Sequence, residues 1–390
     1  MADFHTAIIG AGASGLFCAG SFNASKIILD HNAQPGVKIN VSGGGKCNFS
    51  NLHISAKDYL CHQPHFCKNA LASFRTQDFI SLLEKAHIPY EERQDGQLFS
   101  QTSAKEIVRL LVQRARENNT RFSLNTQVLS VSKGTPDFFI IQTSSGNIRA
   151  RNVVLACGGL SYPSLGASSI GIQIARQFGL AIIPQRPALC GLTAPKALRS
   201  IFCTLAGNSL KTIIHIKKQT FTGDLLFTHE GISGPVVLQA SVFCMPQQEI
   251  TINFVPQIDV LQHFYKYKNS SLSLASSLKD FLSCKITKSL LGELERDLAN
   301  ASKQELQTAA NRLQNFTFVP CSTAGYTRAE VTAGGIDTKE INPHTFACKK
   351  VPGLYAVGEL LDVTGRLGGF NLHWAWASGY AAGQALSKIV

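Results

Sequence analysis

Apolar and polar positions along this chain change period several times, and each change marks a part. Ala7-Ile8-Ile9 is a short apolar run that stops at Gly10. Small and apolar residues resume at Leu16-Phe17-Cys18-Ala19, so the pattern predicts a buried strand, a tight turn and a helix. Ile27-Ile28-Leu29 repeats the buried-strand signature and ends in Asp30. Helical spacing covers residues 66–87 and 104–118. Alternating runs at 122–131, 138–143 and 148–155, separated by glycine-containing turns, predict an antiparallel hairpin that returns to a parallel core strand, 153–156. Another helix follows over 169–178.

A proline-rich stretch, 184–195, reads as a boundary. Beyond it short β-rich runs recur at 212–216, 224–228 and 249–254, and residues 260–316 are rich in Leu, Ser and Lys with helical spacing and no proline. Strand-and-glycine character returns at 329–336. It continues through a strand at 353–357, the turn Gly358-Glu359 and a last helix from about Asn371 to Ser387. The expected organisation is one α/β domain built from 1–190 and 331–390, interrupted by 191–330. The insert is read as β-rich over 191–256 and 317–330 and helical over 257–316.

Composition narrows this picture. With 390 residues, 44% of them apolar, the chain can bury more than one core. No eighteen apolar residues run uninterrupted, and the first strand begins too early to leave room for a signal segment, so a cytoplasmic protein without membrane spans is expected. The 11 cysteines are odd in number and lack C-x-x-C spacing, which predicts reduced thiols. The net charge of +12 is unevenly placed: residues 138–223 hold no Asp or Glu but include Arg149, Arg151, Arg176, Arg186, Lys196, Arg199, Lys211, Lys217 and Lys218. Lys105, Arg109, Arg114, Arg116 and Arg121 form a second basic cluster. A solvated basic surface explains this, and so does an electrostatic footprint for nucleic acid.

The chemistry begins at Gly10-Ala11-Gly12-Ala13-Ser14-Gly15, a dinucleotide-binding fingerprint. Gly10 makes the turn, Gly12 lets backbone approach a pyrophosphate, and Gly15 lets helix pack on strand. Asp30 lies where a carboxylate accepts hydrogen bonds from an adenosine ribose. Further glycine-bearing loops follow strands: Ser42-Gly43-Gly44-Gly45-Lys46-Cys47-Asn48 after Lys38, then Ala156-Cys157-Gly158-Gly159, Gly358-Glu359, and Gly369-Phe370-Asn371-Leu372. Together with Val128 in the run 122–131, these are the candidate contacts of a long cofactor, FAD, whose ribityl hydroxyls would meet Glu359 or Asp362. The spacing of Cys61, His62, His65 and Cys67 fits no standard zinc pattern, and no metal is expected.

The fingerprint at 8–15, the loops 42–51 and 156–166, the segment Leu226-Phe227-Thr228-His229-Glu230-Gly231-Ile232-Ser233-Gly234-Pro235, the run 331–336 and the block 353–383 together resemble the HI0933-like family of bacterial NAD(P)/FAD-dependent oxidoreductases. The resemblance implies a Rossmann-type FAD-binding domain interrupted by an inserted β-barrel plus helical domain. It also implies reduction of conjugated C=C bonds, either in steroid-like enones or in uridine of ribosomal RNA. The sequence departs from the family at Asp30 (usually Glu), Lys46 (usually Arg), Cys157 (usually Thr) and Ile170 (usually an acid). Such a reduction needs a hydride and a proton. Cys47 beside Lys46, Tyr162 and His373 are the candidate acids. Without a second glycine fingerprint, NADH or NADPH is expected to dock transiently as donor. A flavin-containing RNA-binding factor without turnover is the other reading.

Overall fold

The computed structural model describes residues 2–134, 137–245 and 247–390. The chain divides into two compact units, one running to Pro187 and resuming at Glu330, the other Ala188–Ala329.

The first unit is built on a seven-stranded sheet. Its parallel part runs, side by side, Thr120–Ser123, Lys26–Leu29, Ala2–Ile9, Gly146–Leu155 and Leu354–Ala356. Ala7, Ile8, Ile28 and Val153 to Leu155 are fully buried, as strands covered on both faces must be, and this is why they read as continuous apolar runs. The strand Gly146–Leu155 serves two partners in turn: its first half pairs antiparallel with Phe138–Thr143, and its second half pairs parallel with Leu354–Ala356. All the parallel strands point one way, so the turns at Gly10, Asp30, Ala156 and Gly358 emerge along one edge of the sheet. In open α/β sheets that edge is where ligands bind.

Several segments differ from the sequence pattern, among them the helices Lys196–Thr204 and Pro235–Ser241 in the stretch read as β-rich. The helix expected over 66–87 is two helices, Lys68–Ser73 and Thr76–Lys85, because the Arg75 backbone N–H donates to the Asp78 carboxylate at 2.7 Å and restarts the helix there. The end of the glycine-rich loop is a strand, Asn48–Asn51, paired with Gln97–Ser100 and burying Phe49 beneath Phe79 at 5.0 Å between ring centroids.

The last helix, Phe370–Ser387, is buried along almost its whole length and packs on the first, Ala13–Ala19. Two of its glycines allow this: a Cβ at Gly379 would lie 2.5 Å from the Ser14 carbonyl oxygen, and one at Gly383 would lie 2.9 Å from that of Cys18. Its polar tips fasten the turn at Gly358. Trp374 Nε1 donates to the Gly358 carbonyl at 3.1 Å, and the Gly358 N–H donates to Ser378 Oγ at 3.0 Å. Among the described residues no helix is long and apolar enough to cross a membrane.

The second unit has its own core and a seven-stranded sheet whose recorded pairings are antiparallel. Its two edge strands, Phe316–Phe318 and Ser322–Thr323, are joined by three residues, a span of at most roughly 14 Å, so the sheet curls until its edges are neighbours. The helices Val260–Lys266, Leu274–Ser277, Cys284–Leu291 and Lys303–Gln314 each begin after an oxygen-bearing cap, Asp259, Ser273, Ser283 and Ser302, whose side chain accepts a backbone N–H.

Gly379→Ala tests the helix contact by its sign. Helix propensity alone favours alanine by about 1 kcal/mol, but the new Cβ collides with backbone, which cannot retract as a side chain can. Urea unfolding should show a net loss of at least about 1 kcal/mol; a gain would mean the two helices are not in contact at that point.

Candidate active site

The turn after the first strand gives its glycines different surroundings. A Cβ on Gly10, whose φ is +112°, would lie 2.4 Å from the Ala156 carbonyl oxygen, and one on Gly15 would lie 2.0 Å from that of Gly10. Both positions are closed by protein. At Gly12 φ is an ordinary −84°, and a Cβ would meet nothing within 4 Å. Gly44 and Gly158 also face open space, at φ +65° and +71°. No side chain caps the helix that starts with Ala13 and Ser14. Asp30 is fixed beside this turn, one carboxylate oxygen accepting the Ala11 N–H at 2.7 Å and the other the Asn32 N–H at 2.8 Å.

A polar node lies beyond it. Lys38 Nζ donates to Ser161 Oγ at 2.6 Å and to Glu359 Oε2 at 2.8 Å. Glu359 Oε1 accepts the Thr332 N–H at 2.7 Å and Ser161 Oγ at 3.2 Å. Thr332 Oγ1 in turn accepts the Leu160 N–H at 2.8 Å, and a Cβ on Gly159 would collide with it at 2.4 Å. Four segments distant in sequence are thereby locked together. Ser161 and Thr332 lie in the stretches 156–166 and 331–336 that the sequence singles out but are not named there as contacts; the Gly334-Gly335 pair beside Thr332, with φ of +81° and +134°, was the signal of a constrained strand. Asp362 is engaged elsewhere: it is 5% exposed and accepts the His62 N–H at 3.0 Å, with His62 Nδ1 at 2.8 Å.

The remaining predicted contacts are placed as follows. Ser42 Oγ donates to the Ile39 carbonyl, Gly43 lies against Asn48 N, and the amides of Asn48 and Gln97 meet at 3.0 Å. Val128 is a core residue at the start of the strand Val128–Gly134. Gly369, at φ +95°, turns the chain into the last helix. Phe370 packs edge-on against Tyr59, Asn371 uses its side chain to hold Gly365, and Leu372 is half-buried. Among the described residues no three His, Cys, Asp or Glu side chains are grouped to hold a metal ion.

Two of the three candidate acids need correction. Lys46 does not tune Cys47: its Nζ donates to the Gln101 carbonyl at 2.8 Å, while Cys47 is fully buried and burial pushes its thiol up to about 12, with the Ser42 hydrogen bond opposing. Such a thiol packs and does not ionise. His373 is fully buried on the last helix, Nδ1 meeting Ser50 Oγ at 2.9 Å and Nε2 the Phe74 carbonyl at 3.2 Å. Both nitrogens are used by the fold, with Nε2 carrying the proton toward the carbonyl. Burial lowers its pKa to about 4. Tyr162 alone of the three is half-buried, at φ +57°, an outlying conformation for a bulky residue.

His373 therefore gives the fold an acid limit. An unfolded histidine protonates near its ordinary 6.5 and the folded one only near about 4, so between these values the unfolded chain binds more protons and stability rises with pH. The contribution, roughly 3 kcal/mol at full extent, is present above 6.5 and lost as pH falls toward 4. Urea midpoints of the wild type should fall across that window, and those of His373→Gln should fall less; parallel slopes would refute the assignment.

A family model described as the HI0933-like protein Rossmann domain matches residues 4–385. The chain is 40% identical to the ribosomal RNA dihydrouridine synthase of Escherichia coli (strain K12), over 99% of its own length and 98% of that protein's. It is 29% identical to the 3-dehydro-bile acid delta(4,6)-reductase of Clostridium scindens, over 98% of each. Among solved structures, the 3-ketosteroid-Δ4-(5α)-dehydrogenase of Rhodococcus jostii RHA1 shares the fold, with a TM-score of 0.50 at 12% identity, covering 99% of this chain and 97% of that one. A match from residue 4 to 385, on a sheet whose glycine turns line one edge, makes this chain an oxidoreductase of the HI0933-like family.

Proposed function

We propose that this protein binds FAD along the carboxyl edge of its parallel sheet and reduces the C5=C6 bond of uridine in ribosomal RNA, with NADH or NADPH as donor. The observation that carries the substrate is the 40% identity over 99% of the chain to a protein named for that reaction. What supports the cofactor is the set of glycines facing open space. Gly12 has neither a strained φ nor a close neighbour to require glycine, so the position is suited to a group the chain does not itself supply.

In this reading Asp30 holds the adenosine ribose, Gly12, Ala13 and Ser14 present backbone N–H groups to the pyrophosphate, and Lys38, Glu359, Gly43, Gly44, Gly158 and the backbone at Phe370, Asn371 and Leu372 surround the distal half. Of the two acids considered for the ribityl hydroxyls, Glu359 is the better placed, since its side chain is 20% exposed against 8% for Asp362. Bound FAD supplies a two-electron carrier able to deliver hydride to an electron-poor double bond. The same reading makes the protein cytoplasmic.

A smaller conjugated enone is the second reading, favoured by the bile-acid reductase likeness. Charge argues for RNA: Lys196, Arg199, Lys217 and Lys218 are exposed, and none belongs to an ion pair among the described residues. Nucleoside mass spectrometry of ribosomal RNA incubated with the protein and NAD(P)H should show dihydrouridine. Enone reduction without dihydrouridine would reverse the order of the two readings.

Gly12→Val should yield folded protein that copurifies without FAD. Gly15→Val should fail earlier, as insoluble or unfolded chain, because its side chain meets backbone at 2.0 Å. FAD retained by Gly12→Val would sink the cradle assignment. For RNA, log affinity should fall linearly with log salt as phosphates displace counterions, and replacing Lys196, Arg199, Lys217 and Lys218 by Ala should flatten the slope by up to about one unit per phosphate contact. An unchanged slope would remove these residues from the RNA surface.

A further inference from the structure

We propose that Glu330 is the acid that delivers the proton to the substrate carbon, in a site it shares with Tyr162 and Lys38. The proposal rests on the reading of the protein as a C=C reductase and names the proton source for that reaction.

Glu330 stands immediately before the strand Val331–Ile336, two residues ahead of Thr332. Its carbonyl lies 3.2 Å from Ser161 Oγ and shares that hydroxyl's one hydrogen with Glu359 Oε1, so its backbone borders the polar node. Tyr162 follows Ser161 directly, and Lys38 Nζ lies 5.9 Å from the centre of the Tyr162 ring. Lys38 Nζ and the Glu330 backbone carbonyl thus meet at Ser161, whose chain neighbour is Tyr162. Tyr162 is held in the left-handed region, a strain of order 1 kcal/mol or more that persists where surroundings dictate it and that concentrates at functional sites.

The Glu330 carboxyl is not spent on the fold. Its side chain is exposed, it belongs to no ion pair among the described residues, and its only recorded hydrogen bond is made by its backbone carbonyl. Yet burial raises its pKa above the ordinary 4.5, with Lys38 opposing. Lys38 cannot neutralise it fully, because its ammonium already serves Glu359 and Ser161. Tyr162 answers the same surroundings: burial raises its phenol, and the Glu330 charge raises it further. Glu359, the remaining ionisable group of the node, is held by Lys38, Ser161 and the Thr332 N–H.

A general acid works best with a pKa near the working pH. A carboxyl pushed upward moves toward that range, whereas a phenol pushed upward from 10 moves away from it, which leaves Tyr162 as a hydrogen-bond donor. The balance is simple. One hydride equivalent adds at the β carbon, and the electron pair of the double bond shifts toward the carbonyl. The Glu330 O–H bond then breaks as the α C–H bond forms. The carboxylate left behind faces Lys38 and regains its proton from water.

The test uses FAD-loaded protein. In Glu330→Gln, flavin reduction by NAD(P)H should proceed while formation of dihydrouridine, or of a reduced enone, falls roughly 10²-fold or more. The wild-type rate should decline as pH rises through the Glu330 pKa, and the Gln variant should lose that limb. Glu330→Asp, which keeps the acid one methylene shorter, should recover a measurable part of the rate. A readout without cofactor comes from ultraviolet titration of apoprotein: Tyr162, identified by its loss in Tyr162→Phe, should ionise at lower pH in Glu330→Gln. Turnover by Glu330→Gln within a few-fold of wild type, an Asp variant no faster than Gln, or an unmoved Tyr162 titration overturns the proposal while leaving the reductase reading intact. A wild type that reduces its flavin but converts neither RNA nor enone overturns both.

Discussion

The first helix is pressed between the sheet and the last helix through residues that lack a Cβ. Gly15 closes on the Gly10 carbonyl and Gly379 on the Ser14 carbonyl, at would-be Cβ distances of 2.0 and 2.5 Å. Backbone meets backbone on both sides, and no rotamer change can relieve either contact. This places the start of the helix at the edge of the sheet, and Gly12, alone in that turn, is left facing outward with nothing against it. The same arrangement fixes Asp30, whose carboxylate accepts the Ala11 N–H from inside the turn. Three glycines in one hexapeptide therefore have separate surroundings, two closed by protein and one open.

Most of the sheet could be read from the chain because its strands are buried on both faces. Ala7-Ile8-Ile9 and Val153-Val154-Leu155 have no polar face to keep, and their apolar runs end where the turns begin. The helical stretch 257–316 of the second unit was readable from its spacing and lack of proline, whereas Lys196–Thr204 and Pro235–Ser241, which no side chain caps, were not. The break at Phe74-Arg75 was not, since the Asp78 carboxylate that restarts the helix looks like one more polar residue within a continuing period. Tertiary pairing likewise turned the end of the glycine loop into a strand, because Gln97–Ser100 offers it a partner that local spacing does not reveal.

The candidate site was legible only where chemistry and local pattern coincide. Glycines and the strand-ending Asp30 announce themselves. Lys38 and Glu359 could be named singly but their pairing could not, since they stand 321 positions apart and meet only because their segments both leave the same edge of the sheet. His373 misleads for the opposite reason: a histidine beside Gly369 and Asn371 has the composition of a site, but helical periodicity turns it inward to Ser50 and the Phe74 carbonyl. Cys47 fails similarly. Its neighbour Lys46 is adjacent in sequence, yet adjacent side chains diverge, and the lysine reaches Gln101 instead.

Electrostatics then separates the groups that hold from the groups that can react. The Asp30, Glu359 and Asp362 carboxylates each accept protein hydrogen bonds, so none is free to change partners during a reaction without loosening the turn it fastens. Glu330 carries no such duty. It is raised by its surroundings and left with one distant cation, a combination that stabilises nothing in the fold and that a chain selected for stability alone would replace. A carboxyl without a fold partner, whose charge acts on a tyrosine held against its own backbone preference, is the place to which the proposal assigns proton delivery.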